Sequence, residues 1–330
     1  MEQLKALNRI PSQRILVVGD LMLDVYRVAR ATRISPEAPV PVLLNPMTEC
    51  RLGGAGAVAA MCAALGAQTA VLGVTGQNRS GEQIYEILTG LGVTCLAVVD
   101  STRPTTTKER ICGVASGRHR QQLARMDTES TVPLDADLSS RLAGIIAEAA
   151  QNILFDAIII ADYAKGVCTD RIIQACRDTG VPVFVDPPKG VDWPKYYGVE
   201  CVVPNREEAA GKSARDLCRQ LQSQAAVVKL DQDGCELACR SWQVKTFPAR
   251  TRAVHDVTGA GDQFIAVLAC ARAVGLDWPT ATQLANAAAG LQVERHGCIP
   301  VQIQATTQEF DDASRVEATA TDSVVECVAS

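Results

Sequence analysis

Ala157-Ile158-Ile159-Ile160-Ala161-Asp162 is an unbroken apolar run that stops at a carboxylate. A strand lacking polar alternation is buried on both faces, which is the situation of a strand in a parallel sheet covered by helices. Working outward, similar short runs recur at Arg14 to Gly19, Thr69 to Val74, Val181 to Val185, Cys201 to Val203 and Ala226 to Leu230. Amphipathic stretches such as Ser139 to Ala150 and Thr280 to Gln292 lie among them. The alternation predicts a doubly wound α/β core with a mostly parallel sheet and helices on both faces.

Two stretches break that rhythm. Residues 21–48 carry four prolines between short Val and Leu runs, and residues 94–126 are rich in Thr, Val and Arg without a helical period. Both read as strands outside the main sheet, and together they are expected to form a small β lid over one end of the core. Residues 308–330, with weak periodicity, are expected to form a poorly ordered tail.

The chain has 330 residues, 47% of them hydrophobic, and a formal net charge of -5. That length supports one large α/β domain over 1–330, and the charge offers no basic excess for nucleic acid. No basic head precedes a long apolar run at the start, and no stretch reaches a membrane span, so the expectation is a cytoplasmic protein without a membrane partner. The thirteen cysteines are scattered, form no C-x-x-C pair and accompany only three histidines, His119, His255 and His296. They read as reduced thiols of the core, not as disulfides or a zinc cluster.

Several strands end in a polar side chain: Asp20, Asp162, Asp186 and Asn205. In open α/β sheets ligands bind beyond the carboxyl ends of the strands, so these four would line one rim. Taken singly, each is as well explained as the start of a turn. Residues 255–262, His-Asp-Val-Thr-Gly-Ala-Gly-Asp, precede the apolar helical pattern Phe264 to Ala273. Small residues entering a helix expose its first amides, which suit a phosphoryl anion, and Asp262 would stand beside them as a base for an attacking hydroxyl. The competing reading is a carboxylate that stabilises a helix start. Asn205 and Glu208 supply hard oxygen donors that would orient Mg²⁺ through water, or else simply cap a helix.

Two decoys are rejected on context. Gly54-Ala55-Gly56-Ala57-Val58-Ala59 satisfies G-x-G-x-x-A, but Asn45 to Arg51 is polar, contains Pro46 and is not expected to be the buried strand a dinucleotide fingerprint requires. Gly211-Lys212-Ser213 resembles the end of a P-loop, but Arg206 stands where its first glycine belongs.

Gly53-Gly54, Asn205-x-x-Glu208 and Asp256-x-Thr258-Gly259-Ala260-Gly261-Asp262 together resemble the ribokinase superfamily of PfkB carbohydrate kinases. Within it, Gly19-Asp20-x-x-Leu23-Asp24-x-Tyr26 and the run Arg33 to Val42, RISPEAPVPV, resemble bacterial D-glycero-β-D-manno-heptose-7-phosphate kinases, over about residues 14–300. The resemblance implies a ribokinase-like fold and transfer of the γ-phosphate of ATP to the anomeric hydroxyl of heptose 7-phosphate, on the route to ADP-heptose for lipopolysaccharide core. It implies Asp262 as base with Gly259, Ala260 and Gly261 as the anion hole. Asp20, Asp24, Gly53 and Gly54 would meet sugar hydroxyls, and Lys108, Arg110 and Arg118 the acceptor's phosphate. Asn205 and Glu208 would serve Mg·ATP, Asn286 adenine and Lys189 the nucleotide, with Lys165 a further rim cation.

ATP and Mg²⁺ are the implied cofactors, and a monovalent cation stays open. Ala57 stands where relatives carry Asn, removing one expected hydrogen bond to sugar. Many such kinases are fused to an adenylyltransferase with an H-x-G-H motif, which this sequence lacks, so a separate adenylyltransferase is the expected pathway partner. A homodimer through free lid edges is the expected assembly. The alternatives are a kinase for fructose 1-phosphate or ribose, a non-catalytic sugar-phosphate sensor and, last, a dehydrogenase.

Overall fold

The computed structural model describes residues 5–115, 120–240, 243–249, 257–294 and 301. A nine-stranded sheet forms the centre. Its order runs Val244–Phe247, Cys235–Cys239, Ala225–Lys229, Cys201–Val202, Val183–Asp186, Ala157–Ala161, Arg14–Gly19, Gln68–Leu72 and Thr94–Cys95. From Ala225–Lys229 onward the pairings are parallel, and the two remaining strands form an antiparallel edge. The central strands Arg14–Gly19 and Ala157–Ala161 are almost wholly buried, as their uninterrupted apolar character requires.

Alternate residues of these strands face two separate cores. Ile159 and Val17 pack with the helices Ala55–Ala64, Ala260–Ala273 and Trp278–Val293 on one side. Ile158, Ile160 and Val18 pack with Ala136–Asn152, Asp170–Asp178 and Ala214–Leu221 on the other. The side-chain period of two sends neighbours to opposite faces, so one apolar strand supplies both layers. The helix Ala260–Ala273 is buried over most of its surface, which its Ala, Leu, Ile, Val and Phe content permits. Eleven cysteines fall among the described residues, all as free thiols.

A second, four-stranded sheet has the order Pro41–Gly54, Leu21–Ile34, Thr106–Val114 and Gln121–Thr128. It is the β lid, with limits that differ from those read in the sequence. Its first pair extends to Gly54 and its second begins only at Thr106. Thr94–Cys95 instead extends the edge of the main sheet, while Val98–Val99 pairs with Val74–Thr75. A Thr- and Val-rich segment fits either pleated surface, and tertiary pairing decides between them. The tail expected at 308–330 lies outside the described residues.

Residues 45–51 continue the lid strand Pro41–Gly54, which leads through Gly53-Gly54 directly into the helix Ala55–Ala64. It is a largely exposed lid strand, antiparallel to its neighbour, so the fingerprint's buried parallel strand is still missing. Gly54 has φ +55°, and a Cβ there would lie 2.3 Å from the Asp20 carbonyl oxygen. Only glycine allows this turn from lid to core.

Candidate active site

A cavity of about 220 Å³ opens between the lid and the carboxyl ends of the central strands. The lid contributes Asp24, Gly53, Gly54, Lys108 and Arg110, and the core contributes Tyr163, Asp186, Asn205, Glu208, Lys229 and the turn Thr258–Asp262 without Ala260. The sheet delivers the core residues because a parallel strand ends pointing at this rim.

Asp262 sits in the first turn of Ala260–Ala273, entered through Gly259 in the left-handed region at φ +82°. The first amides of a helix have no acceptor within it, and Gly259 and Gly261 bring that end to the cavity wall. Ala260 does not line the cavity; its amide donates to the Val257 carbonyl at 3.4 Å. Asp262 is buried and accepts a hydrogen bond from the Tyr163 hydroxyl. Burial pushes its carboxyl up to about 6, against the opposing pull of the Tyr163 bond and the Lys229 charge.

Lys229 closes the floor. Its ammonium lies 2.8 Å from Asp186 Oδ1 and would stand 3.0 Å from a Cβ built on Gly261. Burial works against that charge, but Asp186 and Glu208 outweigh it and raise the lysine above its ordinary value. Glu208 is pushed up to about 7, by burial first and then by the Asp186 carboxylate. Three carboxyls, Asp186, Glu208 and Asp262, thus share one half-buried ammonium. Such a crowd is stabilised by further positive charge.

Asn205 and Glu208 form a capping box: Glu208 N donates to Asn205 Oδ1 at 2.9 Å, and Asn205 N to Glu208 Oε2 at 2.6 Å. The capping reading is therefore present, and it holds both side chains still at the cavity wall. Their donor set is oxygen, as Mg²⁺ prefers, and each carboxylate oxygen can accept more than one partner. An oxygen donor set of this kind fits a magnesium ion. Among the described residues no three His, Cys, Asp or Glu side chains cluster as a ready metal site.

Lid residue Asp24 is buried, accepts from Arg110 at 2.6 Å and approaches Gly53, whose Cβ would lie 3.2 Å from Asp24 Oδ2. Lys108 joins it on the same wall. Other residues singled out in the sequence lie elsewhere. Asp20 is buried away from the cavity and accepts from the backbone amides of Tyr163, Lys165 and Val167, so it fixes the loop that carries Tyr163. Asp162 is held by Lys195 and Tyr196. Lys189 is 74% exposed and pairs with Glu207, and Lys165 pairs with Glu129. Asn286 donates to the Pro248 carbonyl at 2.8 Å, outside the cavity lining. Ala57 is buried in the core helix. Arg118 lies outside the described residues.

Sequence reasoning missed Tyr163 and Lys229. Tyr163 adjoins the polar strand end at Asp162, but the lysine closes an otherwise apolar strand, Ala225–Lys229, and looks like an ordinary solvent-facing terminus.

The profile described as pfkB family carbohydrate kinase matches residues 12–305. The bifunctional protein HldE of Geobacter metallireducens is 39% identical over 299 residues, 86% of this chain and 60% of that protein. The D-beta-D-heptose 7-phosphate kinase of Bordetella bronchiseptica is 40% identical over 305 residues, covering 88% of this chain and 94% of that one. The chain thus spans about 60% of the length of the bifunctional relatives it matches. Among solved structures, Arabidopsis thaliana ribokinase complexed with ribose and ATP superposes with a TM-score of 0.66 at 20% identity, over 90% of this chain and 98% of that one. Phosphofructokinase-2 of Escherichia coli gives a TM-score of 0.72 at 15% identity, over 92% and 99%. These likenesses show the ribokinase-like α/β fold.

Proposed function

The chain belongs to the pfkB family of carbohydrate kinases, and from that premise we propose that it transfers the γ-phosphoryl group of ATP to the anomeric hydroxyl of D-glycero-β-D-manno-heptose 7-phosphate. The product is the 1,7-bisphosphate, on the way to ADP-heptose for lipopolysaccharide. The observation that carries the reading is the position of Asp262: a buried carboxylate at a helix start, in one cavity with glycine amides, Lys229 and the lid cations.

Asp262 accepts the proton of the acceptor hydroxyl as its oxygen attacks phosphorus. The amides at Gly259 and Gly261 face the charge that grows on the phosphoryl oxygens. Asp24 and the Gly53-Gly54 backbone receive the other sugar hydroxyls, while Lys108 and Arg110 supply positive charge at the acceptor's far end. Asn205 and Glu208 would hold a magnesium ion, which would supply positive charge against the ATP phosphates. The lid, lying over the cavity, excludes water that would otherwise compete as acceptor.

The remaining assignments follow the same reading. A homodimer through the lid is supported by its two open edge strands, Pro41–Gly54 and Gln121–Thr128, and by exposed Met47, Leu123 and Met126. A cytoplasmic setting accords with the absence, among the described residues, of any helix long and apolar enough to cross a membrane. A separate adenylyltransferase would consume the downstream product. The test is turnover with ATP and Mg²⁺ over a panel of heptose 7-phosphate, fructose 1-phosphate and ribose, with the product's phosphate position read by ³¹P NMR. Preferred turnover of either of the other two sugars overturns the assigned acceptor.

A further inference from the structure

The loop 163–167, which carries Tyr163 to Asp262, is held in shape from outside. Ala164 lies in the left-handed region at φ +55°, a conformation that a residue with a side chain keeps only where its surroundings enforce it. Two buried carboxylates take most of the loop's amides. Those of Tyr163, Lys165 and Val167 donate to Asp20 at 2.8, 3.1 and 3.1 Å, and that of Ala164 donates to Asp162 at 2.9 Å. Asp20 stands where the chain passes from the strand Arg14–Gly19 into the lid strand Leu21–Ile34, so one side of the loop rests on a root of the lid.

The chain's second passage into the lid supplies the opposite hold. Arg103, three residues before the lid strand Thr106–Val114, directs its whole guanidinium at this junction. Its Nε donates to Asp100 at 2.9 Å, Nη1 to the Lys165 carbonyl at 3.2 Å and Nη2 to the Val132 carbonyl at 3.0 Å. Asp100 is itself fixed, its amide donating to the Thr75 carbonyl at 2.8 Å. Beyond the last lid strand, Gln121–Thr128, Glu129 pairs with the Lys165 ammonium at 2.8 Å, and Leu134 N donates to the Gly166 carbonyl at 3.0 Å. The Arg103 side chain is 12% exposed, too enclosed for a solvated surface charge. The gap bounded by Asp20, Arg103 and Lys165 holds about 10 Å³, which admits at most one water and no ligand. These are the contacts of a joint.

We propose that Arg103 is a positioning residue for the reaction: with Asp20 it clasps the loop 163–167 between the roots of the lid, and so sets how the Tyr163 hydroxyl meets Asp262. The inference rests on reading Asp262 as the base of the kinase site. Arg103 does not line the cavity that holds Asp262, so it acts only through the loop. A lid displaced at its roots slackens the clasp, and Tyr163 then no longer steadies the ionised carboxylate. The base is competent only while the lid is seated.

The experiment compares initial rates across pH 5–9 for wild-type enzyme, Arg103→Met, Arg103→Lys, Tyr163→Phe and the double variant that combines Arg103→Met with Tyr163→Phe. Arg103→Met is expected to lower kcat about tenfold, to leave KM for ATP within about twofold and to move the acid limb of kcat/KM upward by up to about one unit. In the double variant it is expected to add less than about twofold to the loss caused by Tyr163→Phe, with no further movement of the limb, because the clasp then has no hydroxyl to place. Arg103→Lys keeps the charge beside Asp100 but lacks the fork that reaches two carbonyls, and is expected to fall between. An acid limb unmoved in Arg103→Met, or losses that multiply in full in the double variant, overturns the proposal. Hydrogen exchange serves where Arg103→Met does not fold. In Arg103→Lys the amides of 163–167 are expected to exchange about tenfold faster than in the wild type while those of Ala157–Ala161 stay unchanged, and equal protection of the loop overturns the clasp. That measurement needs no turnover, so it still judges the clasp should the wild-type enzyme phosphorylate no sugar, an outcome that removes the kinase reading instead.

Discussion

The hydroxyl of Tyr163 donates to the carboxylate of Asp262, joining a loop after one central strand to the first turn of a helix ninety-nine residues later. The bond orients the carboxylate and favours its ionised form, whereas burial favours the protonated one. Their balance leaves Asp262 at about 6, ionised at neutral pH but with appreciable proton affinity. That is a useful setting for a general base.

Replacing Asp262 with Asn should lower kcat by about 10²–10⁴-fold, with binding of ATP and sugar phosphate largely kept, as read by calorimetry. It should also raise stability at pH 8. The carboxyl's folded pKa, about 6, lies above the ordinary 3.8, so its stabilising contribution is complete below 3.8 and is lost as pH rises through 6. The asparagine avoids that loss, worth at most about 3 kcal/mol. Thermal melts without ligand should favour Asp262→Asn at pH 8 and show little gain at pH 3.5.

The acid limb of kcat/KM should fall near pH 6, because that ratio reports the free enzyme's base. Tyr163→Phe deletes a hydrogen bond that stabilises the carboxylate, so the limb should move to higher pH by about half a unit to one unit. A limb that stays in place would separate Tyr163 from the ionisation of Asp262.

Lys229→Met removes the ammonium shared by Asp186, Glu208 and Asp262. Glu208 and Asp262 should then hold protons more tightly, moving the acid limb upward by about one unit and cutting kcat by about tenfold or more. Lys229→Arg retains the charge and should leave the limb near its original position. Initial rates across pH 5–9 distinguish the two variants.

Gly54→Ala should cost at least about 2 kcal/mol, since the new Cβ meets the Asp20 carbonyl oxygen at 2.3 Å on backbone in the left-handed region. Urea denaturation measures this directly. A loss below about 0.5 kcal/mol would mean that the lid-to-core turn relaxes easily.

The α/β core was legible because periodicity reports burial. Ala157–Ala161 is apolar at every position, and only a strand covered on both faces tolerates that. The glycine turn before Asp262 was legible for a local reason, since a left-handed Gly259 and the following helix lie within a few residues. Tyr163 and Lys229 were not, because their roles depend on Asp262 and Asp186, 99 and 43 residues away in the chain. Asp20 shows the converse: its strand-end position suggested a ligand, but three nearby loop amides already occupy it. The lid's outline blurred because pleated segments advertise strand propensity without naming their sheet.

Hydrogen bonds pin the four-stranded lid to the core at two of its roots. At one, Ala55 donates to the Asp20 carbonyl at 3.0 Å, tying the chain's departure into the lid to its return at Gly54. At the other, buried Thr105, just before the strand Thr106–Val114, is anchored to Gly76 and Asn78. Because its strands are hydrogen-bonded to one another, a lid pinned at these roots would swing as one sheet. Such a swing carries Asp24 and Arg110 together, so closing on the acceptor's hydroxyls and closing on its charge become a single movement.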